Sequence, residues 1–172
     1  MLLMDEGNYD HELPEIKRVA VRGIIETGGG LLFIMSARGE LKLPGGGKEG
    51  SETDLDTLIR EVREETGGEV IPESVREFGY IEEKRKSVKE EMIWHQISRL
   101  YFCSIREGFG ETDYSESEKR LGMRRHICTA KEAIGINLKM LDREGVQAWN
   151  KREYNTLLLI EEYYKNQKEK EL

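Results

Sequence analysis

The sequence has no long apolar run, no excess of basic residues and too few cysteines for a disulfide framework. No stretch reaches 18 consecutive apolar residues, so we expect no membrane-spanning helix and no membrane partner. Residues 1–10 carry no basic segment followed by a long apolar stretch, which argues against a signal peptide. Only Cys103 and Cys128 are cysteines, which favours a reduced, cytoplasmic protein.

The net charge of the chain argues against a protein that binds nucleic acids. The 27 Lys and Arg residues are outnumbered by 34 Asp and Glu, for a formal net charge of −7. Nucleic-acid partners are disfavoured, because phosphate backbones are bound by clustered Lys and Arg. An acidic protein that handles phosphates needs a metal ion to bridge the like charges.

The chain shows no internal repeat and no low-complexity linker, and its apolar residues suffice for one core. Residues 1–172 are therefore predicted to form a single domain, with a loose lead-in over 1–15 and a solvated tail over 165–172. Patterning predicts strands over 19–26, 31–35, 41–43, 78–84 and 92–105, a basic hairpin tip over 84–86, a short strand from Ile127, and helices over 53–66, 131–134 and 149–166. This order favours a mixed α/β fold.

One segment carries the chemistry: a glycine-rich loop over 44–47 that leads into the helix at 53–66. Glu61, Glu64 and Glu65 are spaced to lie on one side of that helix, although like charges at this spacing cost helix stability. Carboxylate oxygens suit Mg²⁺ or Mn²⁺, and a metal, water and phosphate together imply hydrolysis at phosphorus. The alternative is a solvated acidic face paired with Arg or Lys.

The spacing Gly46, five residues, Glu52, seven residues, then Arg60-Glu61-Val62-x-Glu64-Glu65-x-Gly67 resembles the Nudix box. The one departure is Gly68, where the box has a bulky apolar residue, and we expect it to cost packing at the helix end. The resemblance is to the Nudix hydrolase family, MutT-like and of unassigned subgroup. It implies a Nudix-type α/β/α sandwich with a mixed β-sheet between helices.

The resemblance also implies a metal site. Mg²⁺, with Mn²⁺ as a substitute, would be held mainly by Glu61 and Glu65. Glu64 would be a third ligand or would hold a metal-bound water, and the carbonyl of Gly45 would be a backbone ligand. Glu52 and Arg60 would tie the loop to the helix and orient the catalytic glutamate.

Other roles in the site are less closely defined by the motif. The general base in the family is either a glutamate of the box helix or one from a later loop, and here we favour Glu118 over Glu111 and Glu116. Arg22 and Arg38 are candidates to contact substrate phosphates, with Gly46 also on the substrate side. For each arginine the alternative is a structural or solvent-facing role.

The resemblance implies a small nucleotide substrate, and the MutT-like pattern favours a nucleoside triphosphate, canonical or oxidised, cleaved to the monophosphate and pyrophosphate. Alternatives are ADP-ribose or another nucleotide sugar or dinucleotide, an RNA 5′ end, and a nucleotide sensor without turnover. Trp94, Tyr80 and Phe102 could stack on a base or belong to the core. A homodimer is left open.

Overall fold

The computed structural model describes residues 1–170. Its strands are β1 Leu2–Asp5, β2 Glu15–Thr27, β3 Gly30–Met35, β4 Leu41–Lys42, β5 Gly45–Gly47, β6 Arg76–Lys86, β7 Ile93–Cys103 and β8 Arg124–Cys128. Its helices are α1 Asp54–Thr66, α2 Glu116–Arg120, α3 Ala130–Met140 and α4 Asn150–Lys170, with a 3-10 turn at Pro72–Ser74. In this part of the chain, no helix is both long and apolar enough to cross a membrane.

The chain divides into two compact units, Met1–Ile25 with Pro44–Asp113 and Glu26–Leu43 with Tyr114–Leu172. The first unit contains a mixed sheet. Strand β7 runs parallel to β2 and antiparallel to β6, β6 is parallel to β1, and β5 pairs antiparallel with β2. The predicted mixed α/β class is confirmed.

Helix α1 begins and ends where the sequence indicates. Thr53 caps its N-terminus, because its hydroxyl accepts the N–H of Asp56 while the Asp56 carboxylate accepts the N–H of Thr53. Gly67 ends the helix with φ 67°, a conformation that favours glycine. Leu58 and Val62 are fully buried, whereas Leu55 is 38% exposed.

Gly68 allows close packing after the helix. A β-carbon at this position would lie 2.9 Å from Oγ1 of Thr66 and 3.2 Å from Cδ1 of Ile105. Ile105 therefore supplies apolar packing beside the position where the family motif has its own bulky side chain. The departure from the motif leaves the box helix intact.

The second unit pairs β3 with β4 and β8, both antiparallel, and with the last residues of β2. A buried polar contact joins α3 to β4. The side chain of Asn137 accepts the N–H of Leu41 at 2.9 Å and donates to its carbonyl at 2.8 Å. In α4 the buried Glu153 is paired with Arg152 at 3.0 Å and accepts the N–H of Leu43 at 3.0 Å.

Three sequence expectations need correction. The lead-in over 1–15 contains a strand, β1, whose four residues are too few for a reliable alternation signal. Residues 84–86 belong to β6, so the hairpin tip is at 87–92. The helix predicted to end at 166 continues as α4 to Lys170, so the predicted solvated tail is helical and mostly exposed as far as Lys170, while 171–172 lie outside the described residues.

Candidate active site

Glu65 is the most buried carboxylate of the box, with 2% of its surface exposed. Its Oε2 atom accepts the backbone N–H of Gly45 at 2.8 Å. Gly45 is held in place because β5 pairs with β2, where Gly45 lies opposite Arg22. The helix and the glycine-rich loop are thus joined through a charge-assisted hydrogen bond.

Glu61 meets the next residue of the loop. Both of its carboxylate oxygens lie where a β-carbon on Gly46 would stand, so only glycine fits at this position without displacing the glutamate. Glu61 and Glu65 therefore approach two consecutive loop residues from the same helix. One turn of α1 separates them along the chain.

Arg60 pairs with acidic side chains from both the loop and the helix. Its Nε and NH2 atoms donate to the two oxygens of Glu52 at 2.6 and 2.9 Å, and NH2 also donates to the carbonyl of Gly47 at 3.0 Å. The paired Arg60 guanidinium lowers the pKa of Glu52 from its ordinary 4.5 to about 2, with the Glu49 N–H adding to the effect. The same pairing with Glu52 raises the pKa of Arg60.

Arg60 also neutralises two of the proposed ligands. Its NH1 atom is 2.7 Å from Oε1 of Glu61 and 3.2 Å from Oε2 of Glu64. Burial raises the pKa of the Glu64 carboxyl above its ordinary 4.5; the Arg60 charge opposes this and the Glu61 charge adds to it. Glu64 is the most solvent-accessible of the three box carboxylates, since 31% of its side chain is exposed.

Arg22 supports the loop from the strand side. It is buried, and its NH1 atom donates to the carbonyl of Gly45 at 3.1 Å. The two sides of Gly45 are therefore both engaged, the N–H by Glu65 and the carbonyl by Arg22. The observed contact of Arg22 is structural, while its predicted contact with substrate phosphates stays a prediction.

The donor chemistry of this site suits a divalent cation. Three carboxylates come from one side of α1, and hard oxygen donors are the ligands such ions prefer. Among residues 1–170, no three His, Cys, Asp or Glu side chains already converge in a metal-binding arrangement. The contacts of Arg60 with Glu61 and Glu64 each involve one carboxylate oxygen, so an ion bound by these carboxylates would share them with the guanidinium.

The structure assigns Arg38 and Glu118 to the second unit and the box residues to the first. Arg38 donates to the carbonyls of Gly145 and Glu144, the latter at 3.3 Å. Glu118 completes a capping box at the start of α2 by accepting the Ser115 N–H at 2.9 Å. The roles predicted for Arg38 and Glu118 in phosphate binding and proton transfer stay predictions.

Sequence reasoning missed a brace at the start of α1. Asp54 pairs with Lys48 at 2.7 Å and Arg99 at 2.9 Å, and it accepts the Tyr101 hydroxyl at 2.7 Å. Burial opposes ionisation of Asp54, but these three partners outweigh it and lower its pKa to about 2. Only the acidic residue in the first turn was visible in the sequence, since its partners on β7 are far away along the chain.

The comparisons with known proteins agree with this geometry. The model of the NUDIX domain matches residues 16–149. A comparison with curated protein sequences gives no match. Among solved structures, the chain is similar to an ADP-ribose pyrophosphatase from Streptococcus suis, with a TM-score of 0.53, 16% identity, and coverage of 83% of this chain and 87% of that chain.

Two further structures show the same fold. A NUDIX hydrolase from Nitrosomonas europaea has a TM-score of 0.54 at 17% identity, covering 82% of this chain and 90% of that chain. A MutT NUDIX hydrolase from Burkholderia pseudomallei has a TM-score of 0.52 at 16% identity, covering 81% and 97%. The chain belongs to the Nudix hydrolase family. Membership supports a pyrophosphohydrolase activity for this chain, and Nudix hydrolases in general use divalent cations and act on small nucleotide substrates.

Proposed function

We propose that this protein is a Mg²⁺-dependent pyrophosphohydrolase of a nucleoside triphosphate, canonical or oxidised, with Mn²⁺ as a substitute ion. The observation that carries the proposal is the contact of Glu61 and Glu65 with consecutive glycines of the loop. Two carboxylates, the hard donors that Mg²⁺ prefers, therefore lie beside a glycine backbone, which supports a site for a metal-bound phosphate chain.

Glu61, Glu65 and Glu64 would hold the ion, with the Gly45 carbonyl as a further ligand. When bound, Mg²⁺ would offset phosphate charge and lower the pKa of the attacking water. Arg60, paired with Glu52, holds the loop against the helix through the Gly47 carbonyl. Its positive charge offsets the negative charge of the acidic cluster when no ion is bound. In the reaction, water forms a bond to phosphorus, a bridging P–O bond breaks, and pyrophosphate leaves with the monophosphate as the other product.

The proton of the water goes to a general base, and two carboxylates are candidates. We favour Glu118, which lies 3.6 Å from Lys42 and in contact with Ser115. The other is Glu64, the accessible carboxylate of the box. The variant Glu118→Gln tests this role, because loss of the base lowers kcat without lowering the affinity for Mg²⁺, whereas Glu64→Gln removes a proposed ligand and should lower both.

The decisive experiment incubates the protein with Mg²⁺ and a panel of nucleotides, with products separated by ion-exchange chromatography. The panel contains canonical and oxidised nucleoside triphosphates, ADP-ribose, diadenosine polyphosphates, nucleotide sugars and an RNA with a 5′ triphosphate. We expect a monophosphate and pyrophosphate from one triphosphate. Turnover of another member of the panel instead would keep the site and overturn the substrate.

The Glu65→Gln variant is run beside the wild type. The amide retains an oxygen that can accept the Gly45 N–H, so folding should persist while kcat falls by about a hundredfold or more. Glu69→Gln is the matched control, because Glu69 follows the box and is 71% exposed in its side chain. Equal activity in Glu65→Gln and Glu69→Gln would refute the proposed site.

A further inference from the structure

Two guanidinium groups flank one indole ring in the first unit. Trp94 on β7 lies opposite Ile16 of β2 and Arg85 of β6. The guanidinium carbon of Arg18 is 5.8 Å from the Trp94 ring centroid, and that of Arg85 is 5.7 Å away. Both distances are within the range of cation–π attraction.

Trp94 also has an unused donor. Its Nε1 atom is buried and has no hydrogen-bond partner among the described residues. A buried N–H without an acceptor is costly, so its presence calls for an explanation. A ligand oxygen or ring nitrogen that accepts this hydrogen bond would remove the cost.

The indole cluster is connected to the box through Gly47. The Arg18 guanidinium packs against this residue, with its NH2 atom 2.6 Å from where a β-carbon would stand. The carbonyl of the same glycine accepts Arg60 at 3.0 Å. Gly47 is therefore in contact with both Arg18 and Arg60, the arginine that pairs with the acidic residues of the box.

The ligand chemistry follows from these three groups. Nucleobases stack on aromatic rings and on the planes of Arg guanidinium groups, and Arg also pairs with phosphate oxygens. Arg18 is exposed, and Arg85 pairs with Glu83 at 3.2 Å. A site that bound phosphate alone would need neither the indole ring of Trp94 nor its unpaired N–H.

We infer that Trp94 and Arg18, supported by Arg85, form the subsite that binds the nucleobase of the substrate. The inference rests on the proposed function, because it assigns the base of the nucleotide whose phosphates lie at the box. In this arrangement the base stacks on the Arg18–Trp94 layer, and a polar group beside the edge of the indole ring, rather than the stacked base, accepts the hydrogen bond from Nε1. Gly47 lies between this subsite and the box, so the phosphates of the bound nucleotide extend past it towards Glu61 and Glu65.

Fluorescence tests the subsite without turnover. The chain has two tryptophans, so Trp149→Phe leaves Trp94 as the only indole. This variant is titrated, with Mg²⁺ present, with an α,β-methylene nucleoside triphosphate and separately with inorganic tripolyphosphate. We expect the nucleotide analogue to change the Trp94 emission and tripolyphosphate to leave it unchanged. Equal responses to both ligands, or no response to an analogue of a substrate that is hydrolysed, would overturn the inference.

Steady-state kinetics provide the second measurement. Trp94→Leu should raise KM roughly tenfold or more with kcat changed by less than about threefold, as loss of a stacked base predicts. The matched control is Trp149→Leu, the same substitution at the other tryptophan. Arg18→Gln is compared with Lys17→Gln, its neighbour on the opposite face of β2. An effect on kcat alone, or equal KM values in variant and control, would overturn the subsite.

The proposed hydrolysis and the proposed nucleobase subsite can each be refuted without the other. A base-dependent change in Trp94 emission in a protein without turnover would refute the proposed hydrolysis and retain the subsite. Hydrolysis that is lost in Glu65→Gln, in a protein whose Trp94 emission does not respond to the analogue, would retain the proposed function and refute the subsite.

Discussion

The carboxylate of Glu61 occupies the space that a β-carbon on Gly46 would fill. This relationship explains in physical terms why the loop needs glycine fifteen residues before Glu61. Glu65, one turn further along α1, contacts the preceding loop residue by accepting the N–H of Gly45. The positions of the helix glutamates and of the loop glycines therefore depend on each other, and we expect a substitution in the loop to displace a glutamate of the helix.

Gly46→Ala should reduce activity far more than stability. The added methyl meets the far end of the flexible Glu61 side chain, which can turn away at small cost to the fold. We expect kcat/KM to fall by about tenfold or more and the Mg²⁺ requirement to rise, because a displaced ligand weakens the metal site. Gly28→Ala is the control, since a β-carbon there has nothing within 4 Å. A Gly46→Ala enzyme with wild-type Mg²⁺ dependence would contradict the expectation.

Acid should weaken the Glu52–Arg60 brace. The pKa of Glu52 is lowered from 4.5 to about 2 in the folded protein, so its contribution to stability is complete above about pH 4.5 and is lost as the pH falls towards 2. Urea denaturation of the wild type and Glu52→Gln at about pH 6 and about pH 3 measures the effect. The difference in unfolding free energy between them should shrink at the lower pH. An unchanged difference, or an equal change in the exposed control Glu73→Gln, would argue against the brace.

Asn137→Ala should destabilise the second unit. The change leaves the N–H and carbonyl of Leu41 without their side-chain partner in a buried environment. Two unsatisfied backbone groups predict a loss of about 2–4 kcal/mol in unfolding free energy. Lys139→Ala, on the exposed side of the same helix, should stay within about 0.5 kcal/mol of wild type. If urea denaturation shows similar losses for both variants, the Asn137 contacts are not important for stability.

The two thiols should react slowly in the native protein. Burial raises the pKa of Cys103 to about 12 and, with the Glu132 charge adding to the effect, that of Cys128 to about 11. The thiolate is the reactive form, so little reaction with dithionitrobenzoate is expected near neutral pH. Guanidinium-unfolded protein should release two equivalents quickly, since the chain has two cysteines. Fast labelling of the native protein would show that Cys103 or Cys128 is accessible.

Local features of the site were readable from the sequence. The extent of α1, predicted over 53–66, and the grouping of Glu61, Glu64 and Glu65 on one side of it depend on residues within one or two helical turns. The order of these residues alone predicted the family that the NUDIX domain match then confirmed. Arg60–Glu52 pairing was likewise predicted, and the structure shows it as a two-pronged contact.

Long-range contacts were decided by the tertiary structure. Three consecutive glycines have little strand propensity, yet Gly45–Gly47 forms β5 because β2 offers an edge for pairing. Arg22 meets the carbonyl of Gly45, Trp94 lies between Arg18 and Arg85, and Asn137 meets Leu41 from 96 residues away. Such contacts depend on strand register and on which faces pack together, and no local pattern in a single sequence determines either of these.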